Sequence, residues 1–165
     1  MKIFVGCQKD AFNKSCNGTQ KKYEIGQALI DAMADKEDVL LIMETHRDGK
    51  YCAHNKEGWE LIDELQAVIE VIDEERLNKI IAIESPSLAC FDIINAIRTK
   101  LVPEMELEFI GPLLDKNIFH NIILAYNAFP SIKIKISKRR CGCSNKVDNE
   151  HILEILETLG VEILE

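Results

Sequence analysis

Apolar runs and stretches of helical period alternate along this chain. Six short runs rich in Ile, Val and Leu stand at 2–6, 39–43, 79–84, 106–111, 133–136 and 161–164. Strands of a parallel sheet covered by helices on both sides read this way, because both of their faces are buried. Between the runs, apolar residues recur at helical spacing. Residues 20–34 bring Tyr23, Ala28, Leu29 and Met33 together, and residues 59–72 carry Leu61, Ile62, Leu65, Val68, Ile69 and Ile72. Residues 91–101 do the same with Ile93, Ile94 and Ile97. Residues 117–128 are apolar on most sides, and 149–159 end at Gly160, a residue suited to a helix C-cap. The order predicts a single-domain, doubly wound α/β fold: a mainly parallel six-stranded sheet with helices on both faces, spanning residues 1–165. Right-handed crossovers then place ligand chemistry at the carboxyl ends of the strands. The longest irregular stretches, 7–18 and 45–58, are the expected pocket loops.

At 165 residues, such a domain buries a substantial core. A hydrophobic fraction of 47% and a charged fraction of 29% match an ordinary globular protein. No run approaches the roughly 18 apolar residues of a membrane span. The chain opens on the strand-like Lys2-Ile3-Phe4-Val5, not on a secretory leader. Six cysteines without such a leader lead to the expectation of free thiols in a cytoplasmic setting. Cys141-Gly142-Cys143 is spaced too closely for a zinc knuckle.

The net charge of −8 argues against a nucleic-acid polymer as partner. The basic residues are nevertheless uneven: Lys133, Lys135, Lys138, Arg139 and Arg140 fall within eight residues. A solvated basic face is the plain reading. The sharper one is an anion-binding rim after the fifth strand, with Arg139 or Arg140 gripping a phosphate or carboxylate. Lys14, Lys21 and Lys22 are further candidates for that rim.

Four segments, in order, resemble the isochorismatase-like cysteine hydrolases, the superfamily that includes nicotinamidase. Gly6-Cys7-Gln8-Lys9-Asp10-Ala11-Phe12 is similar to the family's Asp-x-Gln-Asn-Asp-Phe, with one extra residue and Gly6 at the place of the catalytic Asp. Asn17-Gly18-Thr19 follows as in one branch of the family. Met43-Glu44-Thr45-His46, then Tyr51, His54 and Gly58-Trp59-Glu60-Leu61, resembles Asp-Thr-His…Tyr…His…Gly-Trp-Glu-Leu, with a shortened loop before His54. Ile83-Glu84-Ser85-Pro86-Ser87-Leu88 resembles Glu-Lys-Pro-Thr-Phe and puts Ser85 where the catalytic Lys belongs. Gly111-Pro112-Leu113-Leu114-Asp115-Lys116-Asn117-Ile118 resembles Gly-Val-x-Thr-Asp-x-Cys-Val and puts Asn117 in the nucleophile's place. Downstream, Asn127-Ala128-Phe129-Pro130 and the unit from His151 to Ile163 fit the same pattern.

The resemblance implies a hydrolase scaffold whose reactive groups are replaced. In the family a Cys thiolate attacks an amide-like carbonyl, an Asp serves as base, and a Lys lowers the thiol pKa. An Asn amide is a poor nucleophile, Gly6 offers no base and Ser85 no charge. The resemblance further implies that Gln8, Phe12, Ser85, Asp115 and Asn117, with Lys138, Arg139 and Arg140, line a pocket for a small ligand. Phe12 would stack a planar ring, whereas Trp59 reads first as packing. In metal-binding members an Asp and two His hold a divalent cation; here Glu44, His46 and His54 would hold Zn²⁺ or Fe²⁺.

The expectation is therefore a non-catalytic protein that sequesters or senses a small anionic or nicotinamide- or nucleotide-like ligand. Two alternatives stand beside it. One is an amide or ester hydrolase using a metal-activated water or a relocated thiol, Cys7 or Cys90. The other is a regulatory or structural subunit of an oligomer, and a homo-oligomer is expected on any of these readings.

Overall fold

The computed structural model describes residues 1–16, 18–46, 52–54 and 56–165. Asn17 and Tyr51, both part of the resemblance, lie outside the described residues. Six strands, β1 (Lys2–Val5), β2 (Val39–Glu44), β3 (Ile80–Ser85), β4 (Glu106–Gly111), β5 (Lys133–Cys141) and β6 (Glu162–Leu164), form one sheet in the order β3-β2-β1-β4-β5-β6. Every pairing is parallel, so the doubly wound sheet is observed as expected. The order reverses between β1 and β4, which fixes the crevice where such folds place their ligands.

Side chains alternate across the strands and divide the core in two. On one face, Ile3, Val5, Leu40, Ile42, Leu107 and Phe109 pack against Ile93 and Ile97 of α5 (Asp92–Lys100), Ile122 and Ala125 of α6 (Phe119–Ala128) and Leu156 of α7 (Lys146–Thr158). On the other, Phe4, Val39, Leu41 and Ile110 meet Phe12 of α1 (Lys9–Asn13), Ile25 and Leu29 of α2 (Gly18–Ala34) and Leu65 of α3 (Asp63–Val71). Each such side chain, fully buried, stabilises the fold by about 1.5–3 kcal/mol relative to exposure. A short helix α4 (Glu74–Leu77), capped by Asp73 accepting from the Arg76 N–H, leads into β3. Among the described residues no helix is long and apolar enough to cross a membrane.

Three elements differ from their sequence reading. The helix expected over 59–72 is divided into a 3₁₀ turn, Glu57–Trp59, and α3. Residues 60–62 are taken by β1's exit instead: Lys9 N–H donates to Glu60 O (3.0 Å), Ile62 N–H donates to Cys7 O (3.1 Å), and Gln8 bridges Leu61. Helix α7 starts at Lys146, three residues early, because the Asn145 side chain caps it by accepting from the Val147 N–H. Its end fits the expectation, with Gly160 at φ +83. Strand β5 does not stop at 136 but runs through the basic residues to Cys141.

Phe109 lies at the centre of the larger half-core with no exposure. Phe109→Ala should cost about 3–5 kcal/mol. Urea unfolding should show a lower midpoint with an unchanged m-value.

Candidate functional site

The site is built where β1 and β4 part. β1 ends in Gly6, whose backbone lies in the left-handed region at φ +60, and whose N–H donates to Ile42 O of β2 (2.9 Å). β4 runs into a π-type turn, Leu114–Ile118, interrupted by non-helical angles at Lys116. Such turns recur at functional sites because they re-aim side chains. Here the turn aims Asn117 under β1. A Cβ on Gly6 would lie 2.4 Å from Asn117 Nδ2 and 3.0 Å from Glu44 Oε1, so no side chain fits at position 6.

Glu44, the last residue of β2, thus reaches the space beside Gly6. Its carboxylate accepts from Asn117 Nδ2 through Oε1 and contacts His46 Nε2 through Oε2 at 3.3 Å. Asn117 also accepts from the Ile118 N–H (3.0 Å). Glu44 is 3% exposed, and burial holds its carboxyl above the ordinary Glu range, against the opposing pull of His46, Lys14 and Lys116. Above this group opens a cavity of about 250 Å³ lined by Lys14, Glu44, His46, Leu88, Leu113, Lys116 and Asn117. Two lysines and a histidine line its mouth beside this buried acid.

Of the expected site residues, the fold brings Gly6, Glu44, His46 and Asn117 together. The others do different work. Gln8 is fully buried and stitches loops: its Nε2 donates to Glu44 O (2.9 Å) and Trp59 O (2.8 Å), and its Oε1 accepts from Glu44 N (2.7 Å). Phe12 packs in the α2-side core, with Lys22 Nζ 5.7 Å from its ring centre. Ser85 pairs in register with Glu44, but its hydroxyl donates to Ser87 O (2.9 Å), within its own loop. Asp115 accepts from Ser144 N, Ser144 Oγ and Asn145 N, pinning the entry to α7.

The expected rim of Lys138, Arg139 and Arg140 is corrected: these residues lie within β5, not after it. Arg140 bridges Glu108 (2.9 Å) and Asp31 of α2 (3.1 Å), and Lys138 pairs with Glu165 (2.7 Å). Lys133 and Lys135 both pair with Glu106. An acidic surface absorbs the cluster, and Arg139 is exposed outside the cavity.

The expected metal trio is also not assembled. His54 contacts Glu84 (3.5 Å) and lies against the Trp59 ring, whose N–H donates to Thr45 Oγ1 (3.1 Å). Among the described residues no three His, Cys, Asp or Glu side chains gather where they could hold a metal ion. The thiols weighed as relocated nucleophiles both belong to the cores, Cys7 on the α2 side and Cys90 on the α5 side. Burial raises the pKa of each, which disfavours the nucleophilic thiolate.

Sequence reading passed over Leu88, Leu113 and Lys116 as lining residues, and Asn121 as their support. Asn121 donates to Asn117 O (2.7 Å) and Leu88 O (3.0 Å) and accepts from the Cys90 N–H (2.9 Å), tying the β3 exit loop to α6. The signal was available: Asn117 and Asn121 are four apart on an otherwise apolar stretch, and so share a face. Gly58 also packs close in these loops: a Cβ there would lie 2.2 Å from the Asp10 carboxylate, which accepts from the Cys52 N–H.

No protein-family model matches the chain, and no curated protein sequence matches it. Solved structures do. A nicotinamidase/pyrazinamidase from Bacillus subtilis superposes with a TM-score of 0.85 at 17% identity, covering 99% of both chains. A pyrazinamidase from Pyrococcus horikoshii in complex with zinc gives 0.82 at 13%, covering 99% of this chain and 97% of that one. The yeast nicotinamidase bound to the inhibitor nicotinaldehyde gives 0.79 at 14%, covering 100% of both. These likenesses define the class: an isochorismatase-like α/β fold. An isochorismatase family protein from Desulfovibrio vulgaris superposes as well as the yeast protein, with a TM-score of 0.79 at 14% identity, covering 99% of this chain and 92% of that one.

Two predictions follow from the buried acid. A carboxyl whose folded pKa is raised contributes stability that is full below the unfolded Glu value of about 4.3 and is lost as pH rises through the folded value. Glu44→Gln, which keeps an acceptor for Asn117, should therefore gain in Tm relative to wild type as thermal melts move from about pH 5 to about pH 8. Gly6→Ala should cost about 1–3 kcal/mol in chemical denaturation, since it combines left-handed strain with displacement of Asn117.

Proposed function

We propose that this chain is a catalytically silent protein on the nicotinamidase fold that binds a small anionic, pyridine- or nucleotide-like ligand and holds it without cutting it. The observation that carries this reading is the contact between Asn117 and Glu44 beside Gly6. Where the resemblance expects a thiolate, a base and a cation, the chain carries Asn117, Gly6 and Ser85, and the Asn117 amide meets the buried Glu44 carboxyl, whose pKa burial raises. An amide is a poor nucleophile with no proton that titrates near neutrality, so Asn117 does not supply what a thiolate supplies in acyl transfer. The cavity itself persists, and Lys14, Lys116 and His46 at its mouth suit a carboxylate or phosphate. Leu88 and Leu113 offer apolar walls to a ring. The yeast protein of this fold holds nicotinaldehyde, a planar pyridine of the size such a cavity admits.

Metal-dependent hydrolysis is the competing reading. The zinc complex of the Pyrococcus horikoshii protein and the 3.3 Å contact of Glu44 with His46 favour it. It requires His54 to leave Glu84 and turn inward.

Titration calorimetry with nicotinate and nicotinamide, run beside an ammonia-release assay, tests the reading. Nicotinate should bind more tightly than the uncharged amide, and nicotinamide should release no ammonia. Lys116→Ala should weaken nicotinate binding about fivefold, the equivalent of roughly 1 kcal/mol. Ammonia release that is lost in His46→Ala or His54→Ala would overturn the proposal in favour of the metal-dependent hydrolase.

A further inference from the structure

The segment after α1 and the segment after β5 meet at two cysteines that the site above does not use. Cys16 N–H donates to Cys143 O at 2.8 Å, and Cys16 Sγ donates to Ser144 O at 3.1 Å. A direct backbone hydrogen bond between the two residues keeps their α-carbons near the roughly 4.4–6.8 Å that a disulfide spans. The Cys16 side chain is near enough to the Cys143 thiol to raise its pKa. The surrounding packing is tight: a Cβ on Gly142 would lie 2.6 Å from Ser15 Oγ. Among the described residues Cys16 alone of the cysteines is exposed, and Cys143 is 6% exposed beneath it.

This is an arrangement of attacking and resolving thiols. We propose that Cys16 and Cys143 form an oxidative modification site, closing to an intramolecular disulfide with a hydroperoxide as oxidant. Cys16, as thiolate, attacks one peroxide oxygen. The O–O bond breaks, and the departing hydroxide takes a proton to leave as water. Cys143 then attacks the sulfur of the resulting Cys16 sulfenic acid; the S–S bond forms, the S–O bond breaks, and a second water leaves. The two thiols lose two electrons and two protons, and one hydrogen peroxide becomes two waters. Burial first, then the neighbouring Cys16, push the Cys143 thiol up to about 11, which makes Cys143 the poorer first nucleophile and leaves the attack on peroxide to the exposed Cys16.

The bond has a structural consequence at the cavity. Cys16 lies two residues from Lys14, on the cavity mouth. Cys143 precedes Ser144, which is held by Asp115 of the turn that carries Lys116 and Asn117. The disulfide therefore clamps the Lys14 segment to the opposite wall. A free pair makes that clamp reversible, as intracellular disulfides of regulatory type require.

The test is peptide mapping of the folded, full-length protein after treatment with a few equivalents of hydrogen peroxide, with and without later dithiothreitol. The expected result is a peptide joining Cys16 to Cys143, loss of two of the six thiols, and full recovery on reduction. Cys143→Ser should trap Cys16 as a dimedone-reactive sulfenic acid. Cys16→Ser, at an exposed position that leaves the cores intact, should keep all five remaining thiols. A map in which Cys16 is oxidised but not joined to Cys143, or a Cys16→Ser protein that still loses two thiols, overturns the proposal.

Discussion

Space at the end of β1 governs this molecule. The chain leaves the sheet through a left-handed residue with no room for a Cβ, and two polar side chains from neighbouring segments close over it. Glu44 arrives from β2, and Asn117 arrives from the π-type turn after β4. Both are buried, so each must find its partners within the protein. They find them in each other, with His46 and the Ile118 N–H completing the set. The shape of the turn, the burial of Glu44 and the floor of the cavity all depend on Gly6 remaining empty of side chain.

The surrounding polar residues obey the same accounting. Gln8, Asp10, Asp115 and Asn121 each spend their hydrogen-bonding capacity on loop backbone, and together they fix the segments that exit four strands. Losing one such side chain while leaving its partners buried costs about 1–3 kcal/mol per stranded group, more than a typical hydrogen bond contributes net. The loops around the cavity are consequently held by specific polar pins instead of by apolar contacts alone. The basic stretch of β5 fits this pattern as well. Its cations face carboxylates on α2, β4 and the C-terminus, and Arg140 joins α2 to the sheet.

The sheet was legible in the sequence because its strands are buried on both faces, so Ile, Val and Leu accumulate without alternation, and helical spacing appears only between them. The site was legible in part. Gly6, Glu44, His46 and Asn117 stand where a resemblance in short segments located them, and the strand order then had to bring strand ends together. What failed was direction. A sequence gives the position of Gln8 or Asp115 but not which way its side chain turns, and both turn toward backbone amides or carbonyls. The helix boundary at 59–62 failed for a tertiary reason: pairing with the exit of β1 outweighs apolar periodicity over one turn. The basic cluster failed because Ile134 and Ile136 mark a strand, while Lys138 to Arg140 give no apolar signal that it continues.

Gly6, Glu44 and Asn117 are mutually dependent. Asn117 alone, placed beside a carboxylate on β1, would crowd it; Gly6 removes the crowding. Gly6 alone would leave a void and an unpartnered Asn117 amide; Glu44, one methylene longer than the Asp of the resembling segment, reaches across from β2 to fill that space and accept from the amide. Here the buried polar atoms of Asn117 and Glu44 are matched, and the space above them stays open between two lysines. The floor of that space is thus hydrogen-bonded within the protein, and burial, which raises the Glu44 pKa, works against the pull of His46, Lys14 and Lys116 around it.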